Sequence, residues 1–334
     1  MMVEVALADQ DGIEKWNSYV DRSPQGNAFH YTESLETIAS HSSTELHRLI
    51  GYKGQEVVGL FPVFERRVLG QSALFSPPPN LLIPYQGPAL LNVGKLKRRK
   101  AERRHGRFLR GCFEWCFEEL DPRYTSLRTD GRYDDLRPVK WSGFDVTPEH
   151  TYTVDLTVGE EDLLASFSSD ARGNVRDGED VEYTVEEGDE EAIRRIVTQI
   201  IERHAAQELF YGVTPEFVVD LYRSLPEGTV RPYTIAVDGE FVGGMVALED
   251  GDTIYRWQGG AKHDRSVPAN DLLDWGIMTD AMGRGLETYD LVGASNPRLN
   301  GYKAKFGPDL RTFHSAERAS PITSLAAEAY KRLR

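Results

Sequence analysis

Residues Thr234–Leu248 read Thr-Ile-Ala-Val-Asp-Gly-Glu-Phe-Val-Gly-Gly-Met-Val-Ala-Leu: strand, glycine turn, strand. The same pattern stands earlier, in Arg48-Leu-Ile-Gly-Tyr-Lys-Gly-Gln-Glu-Val-Val-Gly-Leu-Phe-Pro-Val-Phe64. Gly54 and Gly59 there match Gly239 and Gly243 in the second copy, which is one residue shorter. Helical segments precede each hairpin. Duplication at this distance predicts two similar α/β halves. The turn-rich stretch Trp141-Ser-Gly-Phe-Asp-Val-Thr-Pro-Glu-His150 places the boundary near residue 150, giving domains 1–150 and 151–315.

Working outward, the 3.6-residue apolar period predicts helices at Thr32–Ser40, Glu160–Ser168 and Asp189–Gln207. A helix at Pro215–Ser224 opens with Thr214 as cap and Pro215 at its first position. Pro268–Gly283 carries Leu272, Leu273, Ile277 and Met278, a short helix is expected over Leu299–Lys305, and a last one at Ser324–Leu333 closes the chain. Strands are expected at Glu56–Phe64, Thr151–Leu156, Val181–Glu186, Arg231–Val237, Glu240–Leu248, Thr253–Gln258 and Thr288–Val292.

Composition bounds the function classes. Of 334 residues, 40% are hydrophobic and 28% charged, which is globular composition and excludes a disordered chain. No run approaches the ~18 apolar residues of a spanning helix. Glu4 and Asp9 near the start do not fit a secretory leader, so a cytoplasmic protein is expected. The net charge is −14, with only ten lysines. Such an acid-rich, lysine-poor surface fits a halophilic protein and argues against general affinity for nucleic acid. Cys112 and Cys116, four apart, read as buried thiols on a helix. A zinc site there would need two more ligands, of which only His105 offers itself, so no metal site is expected.

One stretch runs against the charge of the whole. Lys95–Arg110 holds nine Lys or Arg and one Glu and leads into a helix with Phe108, Cys112, Trp115 and Cys116 on its inner face. Lys95, Lys97, Arg98, Arg99, Arg103 and Arg104 are candidates for docking a polyanion, either RNA or an anionic membrane surface. A merely solvated helix face is the plain alternative.

Three segments carry candidate chemistry. Ser166–Arg176 sets Arg172 and Arg176 four apart with Asn174 between them, a spacing suited to phosphate or carboxylate recognition if the pair is not simply solvated. Ile254–Trp275 runs from a strand bearing Tyr255 and Trp257 into a helix whose first turn holds Asn270. That turn presents free N–H groups to an anion, whereas a local cap is the plain role for Asn270 and the core the plain place for the two aromatic residues. Asp290–Gly307 ends a strand at Gly293 and then carries Tyr302, Lys303 and Lys305. A lysine near a strand end in a cleft can hold a carboxylate or a tetrahedral oxyanion.

The order Arg172-Gly-Asn-Val-Arg176, Pro268-Ala-Asn270…Trp275, Tyr289-Asp290-Leu-Val-Gly293 and Tyr302-Lys303-Ala-Lys-Phe306-Gly307 resembles the FemAB-like transferases of the GNAT acyltransferase superfamily. The resemblance extends over nearly the whole chain, including Phe29-His-Tyr31. It implies an α/β (α+β) fold: two tandem GNAT-like domains, each a mixed, mostly antiparallel sheet flanked by helices. A C-terminal helix over 316–334 would pack back on the first domain. Lys303 would be catalytic, stabilising charge, with Arg172, Asn174, Arg176, Tyr255, Trp257, Asn270 and Tyr302 around the substrate.

The implied reaction is transfer of an aminoacyl or acyl group to an amine acceptor by direct aminolysis, with aminoacyl-tRNA or acyl-CoA as donor and no tightly bound cofactor. Aminolysis needs a deprotonated amine, alignment and oxyanion stabilisation, but no covalent nucleophile, and neither Gly-x-Ser-x-Gly nor a Cys-His pairing is seen. His204, Tyr211 and Asp264 are base candidates by residue type alone. Lys262-His-Asp-Arg-Ser-Val267 lacks the glycines of an acyl-CoA pyrophosphate loop, which weighs against that donor. The alternatives are an acyl-CoA-dependent N-acetyltransferase of a small metabolite or sugar amine, and a non-catalytic binding module on a duplicated fold. The expected partners are the amine acceptor and, through the basic stretch, tRNA or the inner membrane face. No stable protein partner is expected.

Overall fold

The computed structural model describes residues 2–261 and 267–319. The chain divides into two compact units, one from residues 1–148 with 313 onward, the other from 149–312. In chain order the strands are β1 (Glu4–Leu7), β2 (Glu45–Lys53), β3 (Glu56–Val68), β4 (Gln71–Ser76), β5 (Ala89–Leu90), β6 (Tyr124–Thr129), β7 (Asp145–Asp155), β8 (Tyr183–Glu187), β9 (Val230–Val237), β10 (Glu240–Asp250), β11 (Thr253–Ala261), β12 (Thr288–Asp290) and β13 (Asp309–Ala319).

The first unit orders its sheet β1-β2-β3-β4-β6-β13, with β5 on β3. Only β4–β6 is parallel. The first glycine hairpin becomes β2–β3, turned at Gly54 with φ 64°. The long helix Arg98–Leu120 lays Phe108, Leu109, Cys112, Phe113 and Cys116 against this sheet. Gly51 and Gly59 are cross-strand partners, and the Phe108 ring sits on both: a Cβ on Gly59 would stand 2.5 Å from its Cε1 and one on Gly51 2.3 Å from its Cδ2. Gly59→Ala is therefore expected to overpack the core and cost about 1–3 kcal/mol in thermal or urea unfolding. Both cysteines are free and buried, and burial pushes the Cys116 thiol up to about 12.

The second unit orders its strands β7-β12-β11-β10-β9-β8. All pairs are antiparallel except β11–β12. The second glycine hairpin is β9–β10, turned at Gly239 with φ 75°. Thr214 caps the Pro215–Ser224 helix, its side chain accepting from Phe217 N. Leu272, Leu273, Ile277 and Met278 of the Ala269–Gly283 helix fill the core with Tyr233, Met245 and Tyr289.

The C-terminal expectation needs correction. Residues 316–319 belong to β13 and not to a helix, because the Tyr124–Thr129 edge supplies a ladder from His314↔Thr129 to Ala319↔Tyr124. That pairing outweighs the helix propensity of Ala-Glu-Arg-Ala. The rest of the expected 316–334 helix lies outside the described residues. No helix among the described residues is long and apolar enough to cross a membrane.

Candidate active site

The parallel ladder joining β11 to β12 is short. It pairs Thr253 with Thr288, Ile254 with Tyr289 and Tyr255 with Asp290, then stops, while β11 runs on to Ala261. Opposite Val246 and Ala247 the register shifts, leaving Trp257 as the extra residue of a bulge. Because Val246 and Ala247 alternate faces, their partners Gln258 and Arg256 face opposite ways.

Where the ladder stops, Asp274 of the Ala269–Gly283 helix ties the two strands together. Its carboxylate is fully buried and takes Arg256 Nε of β11 at 2.8 Å, the Tyr289 hydroxyl of β12 at 2.5 Å, and the Tyr302 hydroxyl. Burial works against the Arg256 charge, but Asp274 more than offsets it and holds the guanidinium protonated. Burial, followed by the Asp274 charge, pushes both tyrosine hydroxyls well above their ordinary range, so they stay neutral donors. Two cations flank the Tyr302 ring, Lys305 Nζ 4.5 Å and Arg256 Cζ 5.6 Å from its centroid. Lys305 in turn pairs with the buried Asp271, which also accepts from Asn174 Nδ2 at 2.5 Å.

Lys303 sits one residue beyond Tyr302 on the Pro297–Ala304 helix and is 7% exposed. Its Nζ donates to Val292 O at 2.8 Å and Gly293 O at 2.7 Å. Asp290 shapes the turn that offers these carbonyls: its Oδ1 accepts from Val292 N at 2.7 Å and from the Thr151 hydroxyl at 2.6 Å. The turn forces Val292 to φ 51°, a left-handed conformation that costs a β-branched residue about 1–3 kcal/mol and is characteristic of functional sites. An ammonium has three donors, so two carbonyl bonds leave one. Burial, then repulsion from Arg256, lowers the Lys303 pKa to about 8.

The other expected site residues divide. Asn270 is more than a local cap: its side chain accepts from Ala261 N at 2.8 Å and donates to Ala261 O at 3.2 Å, joining the helix start to the end of β11. The Tyr302 hydroxyl also lies 2.9 Å from Asn270 O. Asn174 and Tyr302 thus belong to one network with Asp271, Asp274 and Asn270. Arg172 is committed to Ala165 O at 2.8 Å, while Arg176 is exposed, and neither bonds into this network among the described residues. Trp257 packs edge-on to Phe217 at 6.1 Å and is core. Tyr255 is half-buried on β11. His204 Nδ1 faces Ile200 O at 2.9 Å, and the Tyr211 hydroxyl donates to Gln258 at 2.5 Å. Asp264 lies outside the described residues.

In the first unit, Lys95, Lys97, Arg98, Arg99 and Arg103 are exposed. Arg104 is not part of that face, being buried with its guanidinium 2.7 Å from Glu56. Arg98 pairs with Glu102, which also takes Arg137. Lys95, Lys97, Arg99 and Arg103 make no ion pair among the described residues. Beside them opens a cavity of about 940 Å³ lined in part by Arg98, His105, Tyr133, Asp135, Arg137 and Lys140. His105 Nε2 and the Tyr133 hydroxyl are 2.5 Å apart on its wall, and burial lowers His105 to about 4.

Sequence reasoning passed over Arg256, Asp274 and Tyr289. A signal was present: Asp274, Ile277, Met278 and Ala281 share one stripe of their helix, so a carboxylate stands on the apolar face.

Residues 165–304 match the acetyltransferase (GNAT) domain family. FemX superposes with a TM-score of 0.69 at 14% identity, over 93% of this chain and 96% of that one. The C-terminal DUF2156 domain of an Agrobacterium fabrum protein assigned as a lysylphosphatidylglycerol synthetase gives 0.59 at 11% identity, covering 97% and 96% of the two chains. L-PGS from Bacillus licheniformis gives 0.56 at 10%, covering 98% and 96%. No curated protein sequence matches significantly. The matched segment contains Asn174, Arg256, Asn270, Asp274, Tyr289 and Lys303, and the chain carries a GNAT acetyltransferase domain over residues 165–304 and shares the fold of FemX.

Proposed function

We propose that the protein transfers an aminoacyl group from aminoacyl-tRNA to an amine by direct aminolysis, with Lys303 as the catalytic cation. The observation that carries this reading is Lys303 itself: buried, held by two carbonyls at the end of β12, with one donor left. Attack of an amine on an ester carbonyl develops an oxyanion, and a fixed ammonium in a dry site stabilises it strongly. Asn270, Tyr302 and the Asp274 network hold the strand ends around it, acting as positioning residues.

The tRNA donor is favoured by the exposed Lys95, Lys97, Arg99 and Arg103 on a chain of net charge −14. Those same side chains suit an anionic membrane surface if the acceptor is lipid-linked. Acyl-CoA is the second reading, favoured by the family to which residues 165–304 match.

Melting curves with CoA, acetyl-CoA, uncharged tRNA and aminoacyl-tRNA separate the two, because a ligand that binds only the native state raises Tm. The expected result is a shift with aminoacyl-tRNA and none with CoA. Replacing Lys97, Arg99 and Arg103 together by Ala should weaken RNA binding and flatten the salt dependence by roughly two to three units of slope. A CoA shift without a tRNA shift would move the reading to acyl-CoA. Binding of either ligand without turnover would mark a binding module.

A further inference from the structure

In the first unit, β2 and β3 set two carboxylates directly against each other. Glu45 is the ladder partner of Glu65, and His47, two residues on, shares the face of Glu45. Like charges directly opposite one another destabilise a sheet. Here one ligand atom from each of Glu45, His47 and Glu65 lies within 4.8 Å of the other two.

Two of the three are withdrawn from water: Glu65 is 2% exposed and His47 8%. His47 Nε2 stands 3.3 Å from Glu65 Oε2. The other oxygen, Oε1, is buried and pairs with Arg67 Nε at 2.9 Å, whose side chain is 61% exposed. Trp115 of the long helix packs on the His47 ring at 5.7 Å, fixing its direction. Glu45 is exposed and supplies the open side.

We infer that Glu45, His47 and Glu65 form a binding site for a divalent transition-metal ion. One imidazole and two carboxylates suit Zn²⁺ and its neighbours, whereas Mg²⁺ and Ca²⁺ prefer oxygen alone. Three protein ligands leave a fourth position to water. Metal–ligand distances of about 2.0–2.2 Å require the three atoms to close by only a small movement, which the exposed Glu45 can make. The ion would replace the Arg67 charge, cancel the repulsion of the two carboxylates and tie β2 to β3. The site is independent of the transfer reaction, so its failure would leave that reading untouched.

The test uses the full chain, stripped with a chelator and titrated with ZnCl₂ by calorimetry and by melting temperature. The expected result is one ion per chain and a raised Tm, with MgCl₂ without effect. Glu45→Gln, on the exposed rim, keeps the fold and should weaken Zn²⁺ binding at least about tenfold, as should His47→Gln. Co²⁺ should give absorption bands that His47→Gln alters. No Zn²⁺ binding by the wild-type chain, or binding unchanged in both variants, would overturn the assignment.

Discussion

Asp274→Ala is expected to destabilise the second unit by about 3–5 kcal/mol, read as a fall in the urea or thermal midpoint. The cost comes from what is left behind. Arg256 would be a buried guanidinium without its carboxylate, and the Tyr289 and Tyr302 hydroxyls would lose their shared acceptor. Asp274→Asn keeps the size and one acceptor oxygen but removes the charge, and should fall between the two. Leu272→Ala in the same helix costs a similar amount, about 2–5 kcal/mol, by leaving a cavity. The readout that separates them is function: the Asp274 variants should lose transfer even under conditions where they remain folded, because β11, β12 and the Lys303 helix meet at that carboxylate.

The second large effect falls on Lys303. Lys303→Ala should reduce the transfer rate by about 10²–10³-fold, the scale of removing one oxyanion donor. The pH dependence has a definite sign. With its pKa lowered from 10.5 to about 8, Lys303 is protonated in both folded and unfolded chains below pH 8, and the shift there opposes folding by roughly 3 kcal/mol. Between about pH 8 and 10.5 the unfolded chain keeps a proton that the folded chain has released, so this group adds stability as pH rises through the window. Transfer that depends on the ammonium should fall over the same rise. Lys303→Met should remove this component of the stability profile. A profile identical in wild type and Lys303→Met would refute the shifted lysine.

Several parts of this arrangement were legible in the sequence. Gly54 and Gly239 marked both hairpin turns because a tight turn needs positive φ, which glycine adopts without strain. The helices carrying Ile193–Ile200 and Leu272–Met278 followed from apolar spacing. Lys303 stood out as a scarce lysine after a strand end. The Arg256–Asp274–Tyr289 connection did not, because its members lie on three elements and become neighbours only through packing. The Trp257 bulge, which turns Gln258 and Arg256 to opposite faces, depends on the partner strand. Arg104 read as one more cation in a basic run, but its pairing with Glu56 is a contact across 48 positions of sequence. The 316–319 stretch read as helix because its strand character is conferred by β6.

The most direct test of the whole account is a transfer measurement. The purified chain is given a mixed pool of labelled aminoacyl-tRNA, or labelled acetyl-CoA, with an amine acceptor pool, and the label appearing in amide linkage is counted for wild type and Lys303→Ala. The account predicts amide product from aminoacyl-tRNA that falls about a hundredfold in Lys303→Ala. Equal product from wild type and Lys303→Ala, or no amide from either donor, would contradict it.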